Sequence, residues 1–389
     1  MEPVAPAIFE IGFVLLLAAL AGWAARRAGL PAVLGYLATG LVVSPFTPGY
    51  VADRHELEVL ANVGVVLLLF EVGIEIDPLR LGRERGRLVL IAPLQTLLTA
   101  GLATLAALRA GLRPVGAVLA GLSIAMSSSV VVVNITRSRR RTTDRATEEV
   151  LLGWSVLQDL VGVAAALALI VVTGLQPRPG RVAFVLAAAF IALAFGSAYV
   201  VPRILRWLRS EHDLFLIVSV ASGLVLAGLG SFVFGVPLAL AAFIAGLAIT
   251  ESPESAEARR RLLPFRDVFA VLFFVAIGAL LDPRSVPAAL PWLGFLLSLV
   301  VLTKVLVVYG LARLARLPER HWQVAVGLGQ IGEFSFVLSA LGMSAGIIPP
   351  SFFTGILSAV VVTIAASTVL VRVLFQQVAA ASVGAAPSS

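Results

Sequence analysis

The sequence predicts an all-α polytopic membrane protein of about 13 transmembrane helices, and three observations support this fold class. First, 59% of the 389 residues are hydrophobic and 13% are charged, whereas soluble domains carry about 25% charged residues. Second, apolar segments of about 20 residues, the length that crosses a bilayer, follow one another along almost the whole chain. Third, the short connections between these segments contain Pro, Gly or charged residues.

The apolar segments define the predicted spans in order. The first lacks the basic leader of a cleaved signal peptide and is interpreted as a span. An Ala/Ser-rich tail, residues 376–389, is predicted to be disordered. The predicted spans are residues 7–25, 30–47, 57–76, 87–108, 114–134, 147–173, 182–207, 213–230, 234–250, 264–281, 288–312, 322–343 and 351–374.

The distribution of arginine predicts how the chain crosses the membrane. Connections after odd-numbered spans, together with the C-terminal end, hold 22 arginines, and connections after even-numbered spans hold six. Basic residues flank the cytoplasmic ends of spans. We therefore expect a multi-pass protein of the cell (plasma or inner) membrane, with the N-terminus outside and the C-terminus in the cytoplasm.

Composition also excludes several kinds of site. The chain has no cysteine and three histidines, all of which lie in polar connections. Thiolate chemistry and a deep imidazole metal site are therefore excluded. The net charge of +7 comes from arginines that flank spans, so it does not indicate nucleic-acid binding. We predict no metal site and no cofactor.

Two pairs of segments indicate an internal repeat. The segment LLLFEVGIEIDP (67–78) matches LFFVAIGALLDP (272–283), and PAVLGYLATGLVV (31–43) matches PLALAAFIAGLAI (237–249). The matched spans are third with tenth and second with ninth. The members of each pair differ by seven in the order of spans, an odd number, and therefore face opposite ways. This is an inverted repeat, an architecture common among secondary transporters.

The same repeat pairs span 5 with span 12, and both carry a candidate interruption. Span 5 contains Ala125-Met-Ser-Ser-Ser129, and span 12 contains Gly327-Leu-Gly-Gln-Ile-Gly-Glu333. Runs of Ser and Gly loosen a helix and free backbone carbonyl groups. Ligand sites in inverted-repeat proteins lie near the midplane, where helices are interrupted.

The polar residues at this depth form the candidate site. Asp159, in span 6, is a carboxylate inside an apolar helix, a type of residue that usually marks an ion pathway. Desolvation and oxygen ligands fit it for a proton or a small cation. Lys304, the only lysine, lies deep in span 11 and is predicted to pair with Asp159 when no cation is bound. The alternative to an ion-binding role for Asp159 is a structural ion pair with Lys304.

Further candidates have weaker signals. Gln158 and the serines Ser127, Ser128 and Ser129 could complete the shell of an ion, or could simply bond to backbone and pack helices. Glu333, Gln330 and Glu71 are pathway candidates. For Glu71, close to the cytoplasmic end of span 3, snorkelling to the membrane interface is the preferred interpretation.

Six motifs, in order, resemble the membrane domain of Kef-type monovalent cation:proton antiporters, within the wider sodium/hydrogen exchanger superfamily. They are VLGYLATGLVVSP, VVLLLFEVGIEIDP, AMSSSVVVV, VLQDL, LFFVAIGALLD and GQIGEFSFVL. The resemblance covers about residues 8–375. It implies a transmembrane domain over 1–375, with a scaffold of spans about 7–76 and 213–281. A moving core would comprise spans about 87–173 and 288–374, with crossed interrupted helices.

The resemblance also implies a homodimer, elevator-type motion, and an ion site at Gln158, Asp159 and Lys304. Kef proteins continue into a nucleotide-binding regulatory domain, whereas no Gly-rich fingerprint follows the last span here. Ligand-gated regulation is therefore not carried over from the resemblance, and a separate regulatory subunit is left open. Electrogenic relatives have two adjacent acids where this chain has Gln158 and Asp159, so one-for-one, electroneutral exchange is predicted.

The function predicted from the sequence is monovalent cation:proton antiport, with potassium and sodium both open. A cation channel and a sodium-coupled solute symporter are the alternatives. An intramembrane protease would need two deep aspartates or a base near the serines, and the spans contain neither. The chain is therefore not expected to be an enzyme, and we predict no catalytic residues.

Overall fold

The structure is a computed structural model, and most of the chain is described. The described residues are 4–46, 54–75, 86–128, 131–132, 143–173, 180–249, 254–317, 319–332 and 334–375. The predicted disordered tail, the Asp77-Pro78 half of one repeat motif and several loop arginines lie outside these ranges.

The described residues form helices joined by short turns, and they contain no strand. A 3₁₀ turn, Pro283–Ser285, precedes α11, and a π-helical segment, Val300–Val305, joins α11 to α12. The helices are α1 Val4–Arg27, α2 Ala32–Val42, α3 Arg54–Glu75, α4 Gly86–Arg109, α5 Pro114–Ala125, α6 Arg145–Thr173, α7 Gly180–Trp207, α8 His212–Phe232, α9 Leu238–Ile249, α10 Ser255–Ala279, α11 Val286–Leu299, α12 Leu306–Leu314, α13 His321–Leu328, α14 Phe334–Ser344 and α15 Pro350–Phe375.

The helices confirm the all-α membrane fold. Eight helical segments within the described ranges are long and apolar enough to cross a membrane, and five shorter apolar helices accompany them. The count of thirteen spans remains a prediction. The boundary of the tenth predicted span needs correction, because α10 begins at Ser255 rather than at residue 264. The polar, arginine-rich segment 255–263 continues the helix instead of connecting two spans.

The chain divides into two compact units. The first comprises Met1–Ala21, Gly35–Pro78 and Leu167–Leu280, and the second comprises Gly22–Leu34, Leu79–Ala166 and Leu281–Ser389. The prediction of a scaffold and a moving core is a statement about motion, and it remains a prediction.

Within the first unit, glycines of the repeat motifs form two equivalent helix crossings. A Cβ on Gly40 of α2 would lie 2.8 Å from the Cα of Gly278 of α10. A Cβ on Gly73 of α3 would lie 2.9 Å from the Cα of Gly246 of α9. The repeat exchanges Gly40 with Gly246 and Gly73 with Gly278, so one crossing is the counterpart of the other. Both require glycine because the two backbones touch.

Within the second unit, local signals set the ends of the helices that carry the site. Pro114 occupies the first turn of α5, a position where its missing N–H is not needed. Asp144 caps α6, since its carboxylate accepts from the Thr147 N–H and hydroxyl, both at 2.9 Å. Burial acts to raise the pKa of Asp144, but the Thr147 hydrogen bonds and the Arg320 guanidinium hold it below its ordinary value.

Candidate functional site

Two interrupted helices meet in the second unit. Helix α5 ends at Ala125, and Met126 is extended with φ −91° and ψ 138°. Helix α13 ends at Leu328, and α14 resumes at Phe334 after a nonhelical stretch. Both interruptions predicted from the Ser/Gly runs are confirmed, because the helical hydrogen bonding stops where those residues begin.

The two interruptions are hydrogen-bonded to each other. The Gly332 N–H donates to the Met126 carbonyl at 2.9 Å. The Gln330 side chain accepts from the Ser128 N–H at 3.0 Å and donates to the Ser128 carbonyl at 3.1 Å. The Ser127 hydroxyl donates to the Leu328 carbonyl at 2.8 Å. Backbone groups freed by each break are thus satisfied by the other break, as a membrane interior requires.

Lys304 joins both interruptions. Its side chain is completely buried, and Nζ donates to the Met126 carbonyl at 2.9 Å and to the Gln330 carbonyl at 2.7 Å. The carbonyl ends of helices carry partial negative charge, which a cation stabilises. The pairing of Lys304 with Asp159 stays a prediction. The two backbone contacts of Lys304 are ones that sequence reasoning did not foresee.

Asp159 and Gln158 lie on α6 and are buried, at 1% and 0% exposure. The Gln158 carbonyl oxygen accepts the Ser127 N–H at 3.2 Å. This contact joins α6 to the interruption after α5. The structure thus brings Gln158, Ser127, Ser128, Gln330 and Lys304 into one hydrogen-bonded set. Asp159 follows Gln158 directly on α6.

Sequence reasoning missed a second layer of buried polar residues. The Gln95 carbonyl oxygen accepts from Trp154 Nε1 at 2.9 Å and from Gln158 Nε2 at 2.6 Å. The Gln95 amide donates to the Thr99 hydroxyl at 2.9 Å, and that hydroxyl donates to the Thr303 carbonyl at 2.6 Å. We call these residues the Gln95–Thr99 chain. A glutamine inside the apolar span 4 was the one available signal.

The Gln95–Thr99 chain ends on the π-helical segment that carries Lys304. In this segment the Leu306 N–H reaches back to the Val301 carbonyl, a five-residue step. Short π-helical segments interrupt α-helices at functional sites. The Thr99 hydroxyl donates to the Thr303 carbonyl, which lies in this π-helical segment next to Lys304. Apolar composition alone did not reveal this irregularity.

Glu71, in the first unit, is a correction to the sequence analysis. It is completely buried, so snorkelling to the interface is wrong. Its two oxygens accept from Arg259 Nε at 2.5 Å and Arg266 Nη1 at 2.8 Å. The unpredicted N-terminal extension of α10 places Arg259 within reach. Two guanidinium groups compensate the buried carboxylate, and Glu71 as a pathway residue stays a prediction.

Two candidate residues, Ser129 and Glu333, lie outside the described residues. The remaining site offers a buried carboxylate, hydroxyl groups and backbone carbonyls at two interrupted helices. Oxygen ligands of this type suit hard cations, and ionisable groups at such depth mark ion pathways. Crossed interrupted helices around a buried acid define the class of secondary ion transporters.

Comparison with known proteins gives the family. The sequence profile described as "Sodium/hydrogen exchanger, transmembrane" matches residues 14–377. The chain therefore belongs to the sodium/hydrogen exchanger family of transmembrane cation/proton antiporters. It is 30% identical over 391 residues to "Putative cation/proton antiporter YbaL" of Escherichia coli (strain K12), covering 96% of this chain and 69% of that protein.

Solved structures support the fold independently. The structure of the sodium proton antiporter MjNhaP1 from Methanocaldococcus jannaschii at pH 8 matches with a TM-score of 0.72 and 18% identity, over 95% of this chain and 96% of that chain. An electron-microscopy map of the same antiporter matches over the full length of both chains, with a TM-score of 0.66 and 17% identity. The predicted resemblance to cation:proton antiporters of this superfamily is confirmed.

Proposed function

We propose that the chain exchanges one monovalent cation for one proton, with Asp159 as the shared binding site. The observation that carries the proposal is the burial of Asp159, 1% exposed, on the helix that contacts the crossed interruptions. Such a carboxylate is costly in a membrane. Alternate occupation by a proton and a cation explains why the carboxylate is kept there, because either ligand neutralises the charge of Asp159.

The ligands of the cation come from the hydrogen-bonded set. The Ser127 hydroxyl donates one hydrogen bond, and the Gln158 carbonyl oxygen accepts one from the Ser127 N–H. Both oxygens keep lone pairs for an ion. Backbone carbonyls at the interruptions can complete the shell. Potassium and sodium both fit this oxygen chemistry, and we include both in the proposal.

Electroneutral exchange follows from counting charge. Asp159 carries either one proton or one monovalent cation, so the loaded site has the same charge in both half-cycles. Lys304 is held by two backbone carbonyls, which favours a fixed structural charge over a second carrier of transported protons. An elevator-type motion of the predicted core would move Asp159 with either ligand bound, and the total charge that moves, Lys304 included, would be the same in both half-cycles.

The setting of the exchanger is also part of the proposal. We infer a location in the plasma or inner membrane, with the N-terminus outside and the C-terminus in the cytoplasm, from the arginine distribution. We infer a homodimer from the family resemblance alone. Glycosylation-site or cysteine-labelling scans of the loops would test the orientation, and the native absence of cysteine makes the labelling clean.

The proposal is tested with purified protein in proteoliposomes that contain a pH-sensitive dye. Potassium and sodium are added in turn outside liposomes whose interior is more acidic than the medium. Wild-type protein should dissipate this pH gradient with a saturable dependence on at least one cation, and Asp159→Asn should not. Asp213→Asn, at an exposed position in the first turn of α8, is the matched control and should exchange like the wild type.

Four results would contradict the proposal. Cation:proton exchange by Asp159→Asn would show that Asp159 is not the shared binding site. A rate that changes with an imposed membrane potential would exclude electroneutral exchange. Unsaturable cation flux without proton movement would indicate a channel, and cation flux that requires an organic solute would indicate a symporter.

A further inference from the structure

A cavity of about 280 Å³ lies in the second unit, between the beginning of α4 and the end of α12. Six described residues line it; two of them are arginines and none of the six is acidic. These residues are Arg87, Leu90, Ile91, Leu314, Ala315 and Arg316. A cavity lined by two guanidinium groups is suited to an anion.

Arg316 occupies this lining at a conformational cost. Its φ is 50°, and it is the one non-glycine residue with positive φ in the described part of the chain. It follows Ala315, the C-cap of α12, and the Leu317 N–H returns to the Ala312 carbonyl at 3.1 Å. Glycine is the usual residue after such a helix end. A non-glycine residue held in such a backbone conformation points to a function for its guanidinium group.

Arg87 lines the cavity from α4. Its Nη1 donates to the Ala315 carbonyl at 3.1 Å, which places the guanidinium against the residue that precedes Arg316.

The surface beside the cavity is apolar and exposed. Leu90 and Leu314 are 74% and 80% exposed, and both belong to helical segments long and apolar enough to cross a membrane. Acyl chains can cover these leucines while a headgroup occupies the cavity. Basic pockets between transmembrane helices bind anionic lipid headgroups.

We propose that this cavity binds the phosphate of an anionic glycerophospholipid, with Arg87 and Arg316 as its ligands and Leu90 and Leu314 against the acyl chains. The exposed leucines favour a lipid over free phosphate, because a free ion would make no use of them. The proposal does not depend on the ion exchanged at Asp159. It predicts a lipid-dependent stability that the ion site does not explain.

The test uses the full chain, purified in detergent, with thermal unfolding and native mass spectrometry. Phosphatidylglycerol should raise the Tm of the wild type and remain bound in the spectrum, whereas phosphatidylcholine and inorganic phosphate should do neither. Each arginine near a lipid phosphate contributes about 1 kcal/mol. The apparent Kd for phosphatidylglycerol should therefore rise about fivefold in Arg87→Gln and again in the double variant with Arg316→Gln.

Arg316→Gly makes the test decisive. Glycine relieves the positive φ, so the lipid-free Tm should be equal to or above that of the wild type, while the Tm increase with phosphatidylglycerol should be reduced. Arg313→Gln is the matched control, because Arg313 is exposed in the last turn of α12 and does not line the cavity.

Three outcomes would overturn the proposal. One is an unchanged lipid effect in Arg316→Gly and in the double variant. Another is an equal loss in Arg313→Gln, which would indicate general surface charge. The third is an equal Tm increase with inorganic phosphate, which would assign the cavity to a free anion.

Discussion

Replacing Thr99 with valine tests whether the Gln95–Thr99 chain positions the ion site. Valine has nearly the same shape as threonine but lacks the hydroxyl. The variant would lose the hydrogen bond from Gln95 at 2.9 Å and the bond to the Thr303 carbonyl at 2.6 Å. Thr99 is completely buried, so water is not expected to replace either partner.

The magnitude follows from these two contacts. A buried group that loses its partner costs about 1–3 kcal/mol in soluble proteins, whereas hydrogen bonds between membrane helices average about 0.6 kcal/mol. Two lost bonds therefore give about 1–2 kcal/mol for Thr99→Val. If about 1 kcal/mol of this acts on the cation-loaded site, the apparent KM should rise about fivefold.

Thr96→Val is the matched control. Thr96 is equally buried on the same helix, but its hydroxyl donates only to the Ala92 carbonyl of its own turn, at 2.8 Å. We expect a cost below about 0.5 kcal/mol and an unchanged KM. Thr99→Ser, which keeps the hydroxyl, should restore most of the wild-type KM.

The assay combines cation-dependent exchange in proteoliposomes with hydrogen–deuterium exchange of peptides that cover residues 126–128 and 300–306. Thr99→Val should raise KM and speed amide exchange in the peptide that contains Lys304. Wild-type values for both quantities in Thr99→Val, or equal changes in Thr96→Val, would refute the positioning function. The exchange of amides remains informative even if the wild type transports neither cation.

Three other perturbations test the fold. Gly73→Ala should destabilise the first unit by about 1–3 kcal/mol, because its Cβ would meet the α9 backbone. Gly101→Ala, with nothing near its Cβ, should be neutral or stabilising, and equal Tm values for the two would contradict the crossing. Glu71→Gln should cost about 2–3 kcal/mol because it removes the buried negative charge that both Arg259 and Arg266 contact, and a wild-type Tm would refute this. Asp144→Asn keeps the cap but removes the charge, and because the pKa of Asp144 is lowered, the stability from that charge is present near neutral pH and lost as pH falls through the folded pKa. The free energies of unfolding of variant and wild type, from chemical denaturation, should therefore differ by less than about 1 kcal/mol near neutral pH and converge in acid. A difference that grows in acid would contradict this mechanism.

Much of the candidate site was predictable because its signals are local. Ser and Gly runs marked both interruptions, and the order of spans paired them through the repeat. An acid or a lysine within an apolar run is visible without any knowledge of partners. Asp159, Gln158 and Lys304 were therefore found from single stretches of sequence, and the structure places them with the interruptions in one unit.

The partners of these residues were not predictable, and Glu71 shows why. Its position near a span end suggested snorkelling, since the arginines that bury it are 188 and 195 residues away. The boundary of α10 had to be known before Arg259 could be counted as a neighbour. The strained Arg316 likewise depends on how α12 ends, which composition does not encode.

By itself, the sequence determined the apolar spans, the inverted repeat, the two weak points in repeat-related helices and the deep acid, because each follows from composition or spacing within a short segment. The tertiary structure alone decided that Lys304 binds carbonyls of both interruptions, that Gln95 orients Gln158, and that a π-helical segment presents Lys304. Those contacts join helices far apart in the chain, and an apolar pattern specifies which face is buried without specifying which polar atom lies opposite.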